Sequence, residues 1–112
     1  MASNPRTVDY IVEQIATAGA VAQRKMFGEF AIYRDGKLVA LVCDDQLFIK
    51  PTVAGRAHIG SVTEKPPYEG AKAYFSIAGE QWDDSDWLTQ LVRVSAAELS
   101  LPLKKPRKRK SA

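Results

Sequence analysis

Cys43 and His58 are the only cysteine and the only histidine in the chain. A thiol attacks only as its thiolate, so a nucleophilic cysteine needs a nearby base or cation to lower its pKa. Here the two residues lie far apart in sequence, and Cys43 ends the apolar run "LVALVC". It therefore reads as a buried structural thiol. The carboxylates Asp44-Asp45 and Asp83, Asp84 and Asp86 raise a second possibility. Converging acids can exchange protons or hold Mg²⁺, but only where they share a cleft. The first pair sits where a hairpin turn is expected, and the second group where a helix N-terminus favours negative charge. No Cys/His cluster has metal-ligand spacing. The expectation is no catalytic residue, no metal and no cofactor.

Cationic residues form the remaining chemistry. Lys104, Lys105, Arg107, Lys108, Arg109 and Lys110 supply six of the 16 basic residues, and no acidic residue follows Glu98. The net charge of +3 thus hides an asymmetry: residues 1–103 carry 10 basic and 13 acidic residues, a net of −3. So dense a run of like charge cannot bury a core and is expected to be disordered. Such a tail could touch nucleic-acid phosphates by counterion release, touch another acidic surface, or only aid solubility. No aromatic residue is interleaved with it and no recognition helix accompanies it, so any nucleic-acid contact would be non-specific. Arg24 and Lys25, expected in a loop just before the first strand, are the second candidate phosphate contact. An ion pair with Glu29 is the alternative for them.

The elements that position these residues follow from periodicity. Asn4-Pro5 reads as a helix start, and Val8, Ile11, Val12, Ile15 and Ala16 fall on one face before Gly19 stops the helix. Phe30 to Tyr33 alternates as a strand, Asp35-Gly36 is a two-residue hairpin turn, and Leu38 to Cys43 returns. Asp44-Asp45 turns again into Leu47–Lys50. Thr52 could cap a short helix weakened by Gly55, and Ala73 to Ala78 reads as a further strand. Asp84 or Ser85 caps a last helix with Trp87, Leu88, Leu91, Val92, Ser95 and Leu99 on one side, closed by Pro102. Trp87 is expected in the core, as are Met26 and Phe27, and core packing is the expectation for Trp82 too. Gly28 is expected to permit a turn or bulge. The fold class is α+β: an antiparallel β-meander of about four to five strands packed against N- and C-terminal helices. Residues 1–101 form this domain and 102–112 the basic tail.

Counting register from the two turns sets Phe30 opposite Leu41, Ile32 opposite Val39 and Leu41 opposite Phe48. One face then holds Phe30, Ile32, Val39, Leu41, Cys43 and Phe48. The other holds Ala31, Tyr33, Leu38, Ala40, Val42, Leu47 and Ile49. Both are apolar, whereas a sheet with one wet side alternates with polar residues. Helices can cover one face. The other requires the segment Pro51–Gly70 or a second subunit, and a homodimer is the expected solution.

The run "RKMFGEFAIYRDGKLVALVCDDQLFIKP" resembles the signature of the TfoX/Sxy family N-terminal domain, a Met-Phe-Gly turn followed by a meander ending in "LFIK". The later "PPYEGAKAYFSIAGEQWDDSDWL" fits the same pattern, and the resemblance spans roughly residues 7 to 100. It implies a transcriptional co-regulator of the kind associated with bacterial competence, with DNA binding in its context and no catalytic residues. In longer relatives a second, helical domain follows; here "KKPRKRKSA" stands in that place. The expected function is a non-enzymatic regulatory or interaction module, meeting a protein partner through its sheet or helices and DNA or RNA non-specifically through the tail. Two alternatives stand beside it: a small-molecule binder or enzyme with a pocket between meander and helices, and a structural homodimer with an inert tail. Lacking a secretory start or an apolar span, the chain is expected in the cytoplasm.

Overall fold

The computed structural model describes residues 3–26 and 29–99. Helix α1 (Pro5–Gln14) begins as its sequence dictates: the Asn4 side chain accepts a hydrogen bond from the Arg6 N–H at 2.9 Å, and Pro5 takes the first helical position. A 3-10 turn (Ala16–Ala18) leads into β1 (Val21–Met26), followed by β2 (Glu29–Arg34), β3 (Lys37–Cys43) and β4 (Gln46–Ile49). Helix α2 (Val53–Ile59), β5 (Thr63–Lys65), β6 (Tyr74–Ile77), α3 (Gly79–Trp82) and α4 (Ser85–Glu98) complete the order. Thr52 caps α2, its hydroxyl accepting from the Gly55 N–H at 2.9 Å, and Asp84 caps α4 through the Trp87 N–H at 3.1 Å. The α+β class stands. Among the described residues the strands number six, in one antiparallel sheet of order β1-β2-β3-β4-β6-β5. Helix-side packing involves α1, α3 and α4, with α2 resting on α4.

Two of the six strands escape a reading of periodicity. Strand β1 is exposed along almost its whole length, so its residues carry no alternation of apolar and polar types. Strand β5 is three exposed residues long. Both are edge strands, held by ladder hydrogen bonds rather than by burial of side chains.

Both hairpin turns form where expected. Asp35 and Gly36 (φ 52° and 83°) close β2 onto β3, and Asp44 and Asp45 (φ 54° and 57°) close β3 onto β4. Four positive φ values in these two turns match the two-residue geometry whose twist suits antiparallel strands. Register departs from the simple count. Next to the first turn Arg34 pairs with Lys37 and Tyr33 with Leu38, as counted, but Ile32 pairs with Ala40 and Phe30 with Val42. Val39 is the extra residue of a β-bulge, and beyond it every side chain of β3 changes face. The expected pairs Phe30–Leu41 and Ile32–Val39 are therefore replaced, while Leu41–Phe48 holds.

The consequence is a different division of the apolar residues. Phe30, Ile32, Val39, Ala40, Val42, Leu47 and Ile49 join one cluster with the inward faces of α1 and α4. Ala31, Leu41, Cys43 and Phe48 form a second cluster on the opposite face, ringed by half-buried Tyr33, Leu38 and Tyr74. The homodimer expectation requires Phe30, Val39, Leu41 and Phe48, or Tyr33, Leu38 and Ile49 if the helices take the opposite side, to stay wet without a partner. Phe30 and Val39 instead enter the helix-covered core, and Leu41 and Phe48 are only 6 % and 2 % exposed in the single chain. Ile49 is buried too, while Tyr33 and Leu38 are half-buried, so the apolar patch behind that expectation is small in the single chain. The segment Pro51–Gly70 does not wrap this face as a whole, since α2 packs on α4 and β5 extends the sheet edge.

Candidate functional site: the second face of the sheet

The second face is built from alternate residues of the strands. Arg24 pairs with Ala31, Ala31 with Leu41, Leu41 with Phe48, and Phe48 with Ser76, giving one row across five strands. Two shorter rows share this face, Tyr33–Leu38 across β2 and β3 and Lys50–Tyr74–Lys65 from the end of β4 across β6 to β5, displaced from one another by one residue at the Val39 bulge. Tyr33 pairs with Leu38, and the Lys50 N–H donates to the Val39 carbonyl at 2.9 Å. Because Ile49 pairs with Phe75, Lys50 comes opposite Tyr74, which in turn pairs with Lys65. Lys65 Nζ donates to Gln46 Oε1 at 3.0 Å, so its stem reaches from β5 over β6 to β4. Among the described residues no helix contributes to the cluster beneath.

At the rim lies a cleft of about 370 Å³ lined by Lys50, Pro51, Tyr68, Lys72, Ala73 and Tyr74. Tyr68 is 60 % exposed, a large ring that the core does not use. The Tyr74 hydroxyl is pushed up from its ordinary pKa, first by burial and then by Tyr68 and Cys43 nearby. Among the described residues the ion pairs are Arg34–Asp35 at 3.2 Å and Arg56–Glu64 at 2.5 Å. Arg24, Lys50, Lys65 and Lys72 therefore face this side with no carboxylate paired to them. Glu29 shares the face, but its carboxylate accepts from the Ser3 hydroxyl at 2.6 Å and from the Asp44 N–H at 3.2 Å.

Arg24 and Lys25 do not form a loop pair. Both lie in β1, and successive strand residues point to opposite faces. Arg24 pairs with Ala31 on the second face, whereas Lys25 pairs with Phe30 on the helix side. The ion pair with Glu29 is absent as well, its carboxylate being occupied as described. Met26 is 37 % exposed and belongs to neither cluster. Phe27, Gly28, Pro102 and the tail cations Lys104, Lys105, Arg107, Lys108, Arg109 and Lys110 lie outside the described residues.

Cys43 is 3 % exposed within the second cluster. Its pKa is pushed up to about 11, chiefly by burial, with the Glu29 and Asp44 carboxylates adding to the rise. A thiol so placed is poor at forming thiolate. His58 lies on the helix side, where Nε2 meets the Trp87 carbonyl at 3.0 Å and its ring packs beside Trp87. The sheet separates the two residues. Trp87 and Trp82 are half-buried against the core, and Trp82 Nε1 donates to the Ile77 carbonyl.

The aspartates serve structure. Asp45 Oδ1 accepts from the Asn4 N–H at 2.7 Å and the Thr7 hydroxyl at 3.1 Å, strapping the N-terminal segment to the β3–β4 turn. Asp84 is the cap, and Asp83 accepts a short hydrogen bond from the Tyr10 hydroxyl, which holds that phenol's pKa above its ordinary value. Among the described residues no three His, Cys, Asp or Glu side chains converge as a metal site. No described helix is long and apolar enough to cross a membrane.

Residues 13–99 match the family model of the TfoX N-terminal domain. The chain belongs to that family. It is also 37 % identical over 111 residues to an "Uncharacterized 12.7 kDa protein in trpE 5'region" of Spirochaeta aurantia, a match covering 99 % of this chain and 94 % of that protein. The matched span of the TfoX N-terminal domain takes in every strand and α2 to α4, so both sheet faces fall within it. What periodicity missed in this TfoX N-terminal domain is the second-face row. Its members come from four separate strands and a loop. The only sequence signal available was the lysine directly after "LFI" and the tyrosines beginning and preceding the sixth strand.

Proposed function

We propose that this TfoX N-terminal domain is a non-catalytic binding module, acting in transcription or competence regulation, that offers the second face of its sheet to a partner. The observation that carries this reading is the division of labour across the sheet. Helices occupy one face, while the other combines a shielded apolar centre with exposed tyrosine and unpaired cations. Such a surface has rigid aromatic anchors and charged groups at its rim, the composition that binding surfaces favour. The separation of Cys43 from His58 and the high pKa of the thiol favour binding over nucleophilic chemistry.

In the same reading the basic run Lys104–Lys110 adds weak, non-specific contact with nucleic-acid backbone. Engagement of three to five phosphates would give a salt slope of about −3 to −5 in log–log form. The test uses the full chain with the six tail cations replaced by serine, titrated against duplex DNA across a salt series. Loss of affinity and of the slope is the expected outcome. An unchanged slope would remove the tail from the account.

A further inference from the structure

Charge is not spread evenly over the mildly acidic body. Asp9 and Glu13 lie on α1, Glu80 on α3, and Asp86 and Glu98 on α4. Asp83 and Asp84 sit between α3 and α4, so the helix layer holds seven of the thirteen carboxylates. On the second face Arg24, Lys50, Lys65 and Lys72 stand with Glu29, whose oxygens accept hydrogen bonds, and with Asp44 at the turn, whose carboxylate helps raise the Cys43 pKa, while Glu69 follows Tyr68 in the adjoining loop. Four cations against these three carboxylates leave this side mildly positive within a body of net −3.

That surface also alternates rings with cations. From the end of β4 across β6 to β5 the order Lys50, Tyr74, Lys65 is basic, aromatic, basic, Tyr33 stands beyond Leu38 on β2, and the cleft adds Tyr68 and Lys72. Tyr33 on β2 and Tyr74 on β6 stand three strand spacings apart, roughly 14 Å. A single-stranded nucleic acid presents the complementary alternation, an unstacked base followed by a phosphate. Each base has a π-face that stacks on a phenol regardless of sequence, and each phosphate suits an unpaired ammonium. A duplex keeps its bases inside and can use only the cations.

We infer that the second face binds single-stranded nucleic acid, with bases stacked on Tyr68, Tyr74 and Tyr33 and phosphates held by Lys50, Lys72 and Arg24. This rests on the reading of that face as the binding surface and names its partner class. An acidic protein segment could satisfy the cations, but it has no planar ring at each repeat and leaves the tyrosines unused.

The experiment separates these cases in the full chain with its six tail cations replaced by serine, so that only the folded surface is read. Three probes are titrated: a labelled oligodeoxythymidylate, the duplex it forms with oligodeoxyadenylate, and polyglutamate. The single strand should bind more tightly than the duplex. Tyr68→Ala should weaken the single strand about thirtyfold, the middle of the range for one stacked base. Lys72→Gln should lower the magnitude of its salt slope by about 0.7. Both residues line the cleft, and Tyr68 is too exposed for its loss to threaten folding; Tyr74→Leu, which keeps apolar bulk, should reproduce the stacking loss. Equal binding of single strand and duplex, or a Tyr68→Ala affinity unchanged, overturns the inference. Binding of polyglutamate in preference to the oligonucleotide also overturns it while leaving the binding-module reading in place. If none of the three probes responds to either cleft variant, both fall together.

Discussion

The two faces of this sheet are made from the same strands and from similar residue types, yet they have different fates. On the helix side Ile32, Val42, Leu47 and Ile49 meet α1 and α4, and the contact is large enough to exclude water from all of them. On the other side Ala31, Leu41, Cys43 and Phe48 are shielded by a ring of half-buried side chains. Burial alone therefore does not reveal which face carries the fold. What differs is the neighbour: packed helices on one face, tyrosines and long cationic stems on the other. A ring of that kind excludes water from a small apolar centre while keeping its own polar tips available.

The largest effect that could break this contrast is on stability. Leu91→Ala, in the middle of α4 and fully buried, should cost about 2–5 kcal/mol in chemical denaturation. Leu38→Ala, half-buried at the edge of the second cluster, should cost about 1 kcal/mol. Equal losses at the two positions would mean that both faces are core in the same sense.

Alkaline titration tests the second face from another direction. The Cys43 pKa is raised from 9.0 to about 11 in the folded chain, so its protonated form is favoured by folding. That contribution is fully present below pH 9 and is lost as pH rises through 11. Cys43→Ser should flatten this part of the stability curve. At pH 8 the native thiol should react with iodoacetamide at least about a hundredfold more slowly than in the unfolded chain, since its thiolate is that much scarcer. A rate near the unfolded value would show that the second cluster opens freely.

On the helix side, Gly55 is a sharper probe. A Cβ there would come within 2.9 Å of Ser95 Oγ and 2.7 Å of Thr52 Oγ1, which explains a glycine in the middle of a short helix. Gly55→Ala should destabilise by about 1–3 kcal/mol despite its better helix propensity. Adding Ser95→Gly should recover part of the loss, because the buried Ser95 hydroxyl has no hydrogen-bond partner among the described residues. A stabilised Gly55→Ala variant would show that α2 does not sit tightly on α4.

The smallest stability effect belongs to the proposed site itself. Tyr68→Ala should change unfolding free energy by less than about 0.5 kcal/mol while altering ligand binding. A larger loss would mark Tyr68 as structural and weaken the distinction between the faces.

By itself the sequence determined the local elements. Asn4-Pro5, Thr52 and Asp84 start helices because the Asn4, Thr52 and Asp84 side chains answer free N–H groups two or three residues away. Asp35-Gly36 and Asp44-Asp45 turn the chain because two adjacent residues can take positive φ there. Each of these signals lies within a few residues of its effect, so local chemistry suffices. Tertiary structure decided the rest. The bulge at Val39 shows only in the pairing of β3 with β2, and it reassigns Leu41 and Cys43 to the second face. Strands β1 and β5 exist through ladder hydrogen bonds to the strands beside them and leave no pattern in their own side chains. Arg24 and Lys25 part company because a strand, unlike a loop, sends neighbours to opposite sides. The alternation of tyrosine and lysine across the sheet is invisible along the chain for the same reason: its members become neighbours only through strand pairing, at right angles to the direction in which a sequence is read.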